Sequence, residues 1–327
     1  MLLFWNDSHP ADQEFAMWEK KGLIFAPGTL QPWIKSHAQC PTVGAIGLDS
    51  VRIFFGTRLD NNRTVTTFLD IDINDPRQIR YVHDRPVLGL GDLGCFDDTG
   101  VMPSCVVRDG HQEILYYTGW NTSTTVPYRN SIGAAISSDG GITFQRAFAG
   151  PILDRDRDHP HFCATPFVIK EDDLWRMWFL SCVDWRYIDG VPEARYHIAY
   201  AESSDGFAWT RRGTAIDFAS ADEAIARPWV VKVGPEYEMW YCYRQISAYR
   251  TDRHASYRIG YAKSPNGIDW KRCDNDVGIE IGATGWDSEM MAYPSLWRHR
   301  EYMYLLFNGN GFGASGFGYA AKRLSNK

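Results

Sequence analysis

Five polar residues stand at one fixed offset from five prolines. Counting five residues back from Pro41, Pro103, Pro166, Pro228 and Pro294 gives Ser36, Asp98, His161, Glu223 and Glu289. Carboxylates brought together in a concave, partly dry site push each other's proton affinities apart, so that one stays ionised while another keeps its proton near neutral pH. Such a set can protonate a leaving oxygen while it activates water or attacks carbon, which is acid–base work on an acetal bond. The residues directly before the prolines are Cys40, Met102, Thr165, Arg227 and Tyr293, and the fourth position back in the first unit is His37. His37, His161, Arg227 and Tyr293 are therefore expected to orient a ligand around Asp98, Glu223 and Glu289.

Whether these residues meet depends on the elements that carry them. The prolines are spaced by 62, 63, 62 and 66 residues. Each opens the same pattern: a short apolar strand, a polar turn, then an aromatic strand, as in TPFVIKEDDLWRMWFLSC and RPWVVKVGPEYEMWYCYR. In three units a further strand follows, then a Ser-x-Asp/Asn-Gly turn. Asp139-Gly140, Asp205-Gly206 and Asn266-Gly267 are hairpin signals, because Gly and Asn tolerate the positive φ of tight turns. Fixed-period repeats of this length, with four strands each and no long helical pattern, predict an all-β fold. The architecture expected is a five-bladed β-propeller of four-stranded antiparallel blades, forming a single domain over residues 1–327. The fifth unit runs out of chain after three strands. The segment from Met17 to Phe25 matches the outer-strand pattern and is expected to complete that last blade.

Composition narrows the partner. A net charge of −6 without a basic cluster argues against nucleic acid and anionic membrane. No apolar run approaches the ~20 residues of a membrane span, and MLLFWNDSHP lacks the basic and apolar regions of a secretory signal. Seven cysteines without a CxxC pair predict reduced thiols and a cytoplasmic location. Aromatic residues reach 14%, a surplus that suits both blade packing and the faces of sugars. The His159-x-His161-x-Cys163 run offers too few ligands for a zinc site, so no metal and no cofactor are expected. The glycine-rich NGNGFGASGFG is followed by a strand pattern, which excludes a dinucleotide fingerprint. It is read as a loop at the channel mouth, with Asn308 and Asn310 donating to ligand hydroxyls.

With the blade pattern, FDDTGVMPS (residues 96–104), EAIARPWV (residues 223–230) and the repeated SSDG-type turns, the chain resembles the five-bladed propeller glycosidases. These are glycoside hydrolase families 43, 32 and 68 and the mannoside phosphorylases of family 130. The resemblance implies an oligosaccharide or activated-sugar substrate, Glu223 as general acid and an aspartate as base or nucleophile. Those families place that aspartate just before the first-blade proline, where this chain has HAQCPTV with Cys40. Asp98 takes the role in its place, and Glu289 is the next candidate. The activity implied is glycoside hydrolysis. The alternatives are a phosphate-dependent phosphorylase, with Arg227 or Arg244 on the phosphate, and a sugar-binding propeller without catalysis.

Overall fold

The computed structural model describes residues 17–324; the MLLFWNDSHP segment lies outside them. Twenty strands form five four-stranded antiparallel units, the first two joined by one parallel bridge between Thr64 and Gly100. β1 (Glu19–Phe25) stands first in the chain but belongs to the last sheet. The first sheet is β2 (Ser36–Ile46), β3 (Ser50–Arg58), β4 (Thr64–Asp72) and β5 (Ile79–Val82). The second is β6 (Gly100–Asp109), β7 (Gln112–Thr122), β8 (Tyr128–Ser137) and β9 (Gln145–Arg146). The third comprises β10 (Cys163–Glu171), β11 (Leu174–Ile188), β12 (Val191–Ser203) and β13 (Thr210–Ile216). The fourth comprises β14 (Glu223–Val233), β15 (Glu236–Gln245), β16 (Arg258–Ser264) and β17 (Lys271–Arg272). The fifth is β18 (Ala292–His299), β19 (Tyr302–Asn308) and β20 (Phe317–Arg323), completed by β1 as expected.

The five inner strands, β2, β6, β10, β14 and β18, each touch the next, and β18 returns to β2. The sheets are thus blades of a closed ring, which protects their edges. Each inner strand contains one of the five repeat prolines. Every one carries a one-residue bulge there: Ala164 pairs with Leu180 but Phe167 with Trp178, and Ala226 pairs with Cys242 but Trp229 with Trp240. The same slip occurs in β2, β6 and β18. Proline has no N–H for the ladder, so a bulge is where a sheet accepts it. Four of the five residues before these prolines adopt left-handed backbone: Cys40 (φ 52°), Thr165 (φ 45°), Arg227 (φ 58°) and Tyr293 (φ 58°). Non-glycine residues seldom do so, and the cost, about 1–3 kcal/mol each, is repeated around the axis where the side chains converge.

The outer turns latch the blades together. Gly141, Gly206 and Gly267 donate their N–H to Ser137, Ser203 and Ser264 Oγ within their own turns. The carbonyls of the same turns then accept from the preceding blade: Gly140 from Arg52, Gly206 from the Tyr116 hydroxyl and Gly267 from Trp178 Nε1. Buried Trp178, Trp240, Tyr116 and Tyr241 fill the space between sheets, so most of the aromatic surplus is packing.

Candidate active site

The ends of the ring differ. At the mouth where the inner strands begin lies a cavity of about 280 Å³. Its inner-strand lining comes from the positions one, two and four before the prolines: Cys40, Met102, Thr165 and Tyr293, then Gln39, Ala164 and Ala226, then Phe162. This selection follows from the bulges. A bulge turns the two residues before the proline to one face. Alternation then sends Ser36 and Glu223, which begin β2 and β14, away from the mouth, whereas Asp98, His161 and Glu289 lie in the segments ahead of β6, β10 and β18.

None of Ser36, Asp98, His161, Glu223 and Glu289 lines the cavity. Asp98 accepts from Gly94 N–H (3.0 Å) and Thr99 Oγ1 (2.9 Å), tying its own loop. Glu223 is buried and bidentate to Arg272 (2.8 Å to each oxygen), and it also accepts from Ala219 N–H (2.6 Å). Glu289 is exposed, and its backbone, not its carboxylate, is held by Asn310 (2.8 Å) and Arg258 (3.3 Å). His161 is half-buried just ahead of β10.

Among the expected ligand contacts, Tyr293 and Arg244 do line the mouth. Arg227 does not: it is fully buried below the lining, reaching across the channel to Thr42 Oγ1 (2.7 Å) and the Ser104 carbonyl. Asn308 is also fully buried. It donates to the Ala38 (2.6 Å) and Gly316 (3.0 Å) carbonyls and accepts from Cys40 N–H (2.8 Å), so it stitches the fifth blade to the first. Asn310 holds the loop at Glu289 instead of facing the cavity.

The outer wall of the mouth is arginine and tyrosine. Arg244, at the end of β15, stacks 3.7 Å from the Tyr249 ring centroid and donates through Nε to the hydroxyls of Tyr196 (3.1 Å) and Tyr257 (3.2 Å). Buried Glu193, on β12, accepts from the Tyr249 hydroxyl (2.9 Å) and Arg250 Nε (3.3 Å) and lies 3.7 Å from Arg244. Arg58, at the end of β3, faces them from the first blade. It is half-buried, bonds Gln39 Oε1 at 3.4 Å and has no carboxylate partner among the described residues. No Asp or Glu among the described residues lines the cavity. Three arginines, Arg58, Arg244 and Arg250, line the mouth, with Glu193 paired to the last two, so the mouth is cationic among the described residues on a protein of net charge −6. The sequence carried one signal for this wall. The segment between β15 and β16, residues 246–257, is longer than its counterparts and holds Tyr249, Arg250 and Tyr257.

His37 sits beside Arg58. Burial, then the Arg58 charge, lowers its pKa from 6.5 to about 4, so the imidazole is neutral at pH 7. A group depressed in the folded state is protonated first in the unfolded chain. Its contribution is thus full above pH 6.5 and is lost as pH falls towards 4. His37→Gln should flatten the loss of urea midpoint across that window; an unchanged slope would remove His37 from the account. Trp120 forms another part of the wall against Gly100, where an added Cβ would lie 1.7 Å from the indole nitrogen. Gly100→Ala should displace the indole or cost about 1–3 kcal/mol of stability, read by tryptophan fluorescence and urea unfolding.

No family model matches the chain. It is 37% identical over 305 residues to the uncharacterized protein Rv1502 of Mycobacterium tuberculosis (strain ATCC 25618 / H37Rv), an alignment spanning 93% of this chain and 98% of that protein. The chain belongs to the Rv1502 family. Among solved structures it is similar to a glycoside hydrolase (TM-score 0.73, 16% identity, 96% of this chain and 93% of that one). It is also similar to a thermostable family-43 glycoside hydrolase (TM-score 0.64, 13% identity, 93% and 94%). A third match is a member of the GH130 family, described as mannoside phosphorylases that include glycoside hydrolases targeting β-1,2 mannosidic linkages in Candida mannan (TM-score 0.66, 12% identity, 96% and 95%). The Rv1502-family chain thus has the five-bladed propeller fold of these glycosidases and phosphorylases. At such identities the likeness concerns the fold, and function rests on the site.

Proposed function

We propose that this protein is a carbohydrate-active propeller that takes an anionic sugar, one bearing a phosphate or a carboxylate, into the arginine- and tyrosine-lined mouth. The observation that carries the reading is Arg58, a half-buried cation that, among the described residues, has no carboxylate partner and sits in a cavity lined by no Asp or Glu. A guanidinium fork matches phosphate and carboxylate geometry, and the aromatic wall supplies faces for the sugar ring.

Hydrolysis by a carboxylate pair requires two carboxyls flanking the scissile bond, about 5–9.5 Å apart. Asp98 and Glu223 lie off the cavity, and Glu223 is committed to Arg272. A second reading, phosphorolysis, is favoured by the same free arginine. Inorganic phosphate held there would attack the anomeric carbon and replace the missing base. The bond to the aglycone oxygen breaks, and that oxygen takes up a proton from a mouth hydroxyl or water. A cytoplasmic location would suit soluble sugar phosphates.

Calorimetric titration with matched hexose, hexose phosphate and hexuronate, and with inorganic phosphate alone, tests the proposal. Tighter binding of the charged sugars by tenfold or more is expected. Equal affinity for the neutral hexose would contradict it, and a preference among the charged ligands separates phosphate from carboxylate. Product release from a glycan panel only when phosphate is added would select phosphorolysis.

A further inference from the structure

Arg58 is not alone at the mouth in having charge to spare. Arg250 lines the same cavity from the segment after β15, and its side chain is 56% exposed. It donates through Nε to Glu193 Oε1 (3.3 Å). The same glutamate lies 3.7 Å from Arg244 and, among the described residues, is the one carboxylate within ion-pair reach of either arginine. Asp252, close by in sequence, accepts from the His254 N–H (2.8 Å) within its own loop. Arginine keeps its proton inside a protein, so two guanidinium charges against one carboxylate leave one positive charge over. Arg244 is 2% exposed and committed to Tyr196, Tyr257 and the Ala194 and Gln245 carbonyls. The charge that faces a ligand is therefore Arg250.

The two open cations stand apart. Arg58 ends β3 in the first blade and Arg250 follows β15 in the fourth, so the fifth blade lies between them in the ring. That blade contributes Tyr293 and Phe312 to the cavity wall. The Tyr293 ring stands 6.1 Å from that of Tyr257, and the Arg250 guanidinium lies over the rings of Tyr249 (4.5 Å) and Phe312 (5.5 Å). The mouth thus has a cation on each side of an aromatic strip. The two poles are unequal, because Arg58 has no carboxylate partner among the described residues and Arg250 shares Glu193. Two separated positive poles in one cavity are matched by a ligand that brings an anion to each.

We propose that the ligand of the mouth is a sugar with two separated anionic groups, one held by Arg58 and the other by Arg250, a step that rests on the anionic-sugar reading and narrows its substrate class. The unpaired Arg58 takes the first anion, and the ring lies against Tyr293 between the poles. A phosphate or a carboxylate suits the second pole, because a guanidinium fork pairs with either.

Calorimetric titration of the whole protein with glucose and mannose, their 1-phosphates, 6-phosphates and 1,6-bisphosphates, and glucuronate 1-phosphate tests this. The bisphosphate is expected to bind about tenfold or more tighter than the better of its two monophosphates, the gain of a further charge-assisted contact. Arg250→Gln should remove most of that gain, so that bisphosphate and monophosphate bind alike. A matching gain for glucuronate 1-phosphate shows that a carboxylate serves at Arg250, and a gain for the bisphosphate alone shows that a phosphate is required; either supports the proposal. A bisphosphate no tighter than the monophosphates, while these still outbind the neutral hexoses, overturns it and leaves the anionic-sugar reading standing. Equal binding of charged and neutral sugars overturns both. A gain that survives Arg250→Gln also contradicts the proposal. If that variant fails to fold, a crystal structure of the wild type with the bisphosphate decides: the second phosphate is expected in hydrogen-bonding contact with Arg250, and a second phosphate in solvent overturns the assignment.

Discussion

Arg272→Met is expected to destabilise the protein by about 3–5 kcal/mol, the range for stripping the partner from a buried charge. Arg272 grips both oxygens of Glu223 at 2.8 Å and reaches Asp274 at 2.7 Å, joining the end of β17 to the start of β14. Glu223 is only 6% exposed, so the substitution leaves its carboxylate without a cation and with little water. Adding Glu223→Gln to Arg272→Met should recover much of the loss, because the buried charge is then gone. Urea unfolding of the two single variants and the double variant measures the coupling. A neutral Arg272→Met would show that Glu223 does not depend on this pair. Loss of turnover in Glu223→Gln at full stability would instead return Glu223 to catalysis.

Arg58→Gln is expected to weaken binding of the anionic sugar roughly tenfold to a hundredfold. A hydrogen bond to a charged group contributes about 1.5–3 kcal/mol, and the half-buried site is screened little by salt. Stability should change little, since Arg58 holds only Gln39. The same substitution should raise the His37 pKa from about 4, because the Arg58 charge helps to hold it down. The imidazole resonances of His37 report that shift by NMR without any ligand. An Arg58→Gln variant that binds charged and neutral sugars as the wild type does would remove Arg58 from the site. Arg244 is not an equivalent probe. It is 2% exposed and tied to Tyr196, Tyr257 and Glu193, so its loss would disturb the wall itself.

The fold was legible because its signals are local and repeated. Each proline marks a bulge in an inner strand, each Ser-x-Asp/Asn-Gly marks an outer turn, and the unpaired outer-strand pattern at Met17 to Phe25 matches the gap in the fifth unit. The same prolines misdirect a reading of the site. Counting offsets finds equivalent positions but not the face they point to, nor that Ser36 and Glu223 fall on strands while Asp98, His161 and Glu289 fall in the segments ahead of them. Glu223 and Arg272 lie 49 residues apart, and nothing local in EAIARPWV announces the pair. Arg227 was legible as a position in the ring, but its descent into the channel to Thr42 and Ser104 is a matter of tertiary packing. Arg58 reaches the mouth from the end of β3 and Tyr249 from the segment after β15, both outside the proline-centred pattern, and only the Arg- and Tyr-rich segment 246–257 hinted at Tyr249.

A crystal structure of the protein with a phosphorylated hexose is the most direct test of where and how ligand is held. The phosphate is expected in hydrogen-bonding contact with Arg58 and the sugar ring against the tyrosine wall of the mouth. A sugar seated on Asp98, Glu223 or Glu289, or a phosphate turned away from Arg58, would contradict it.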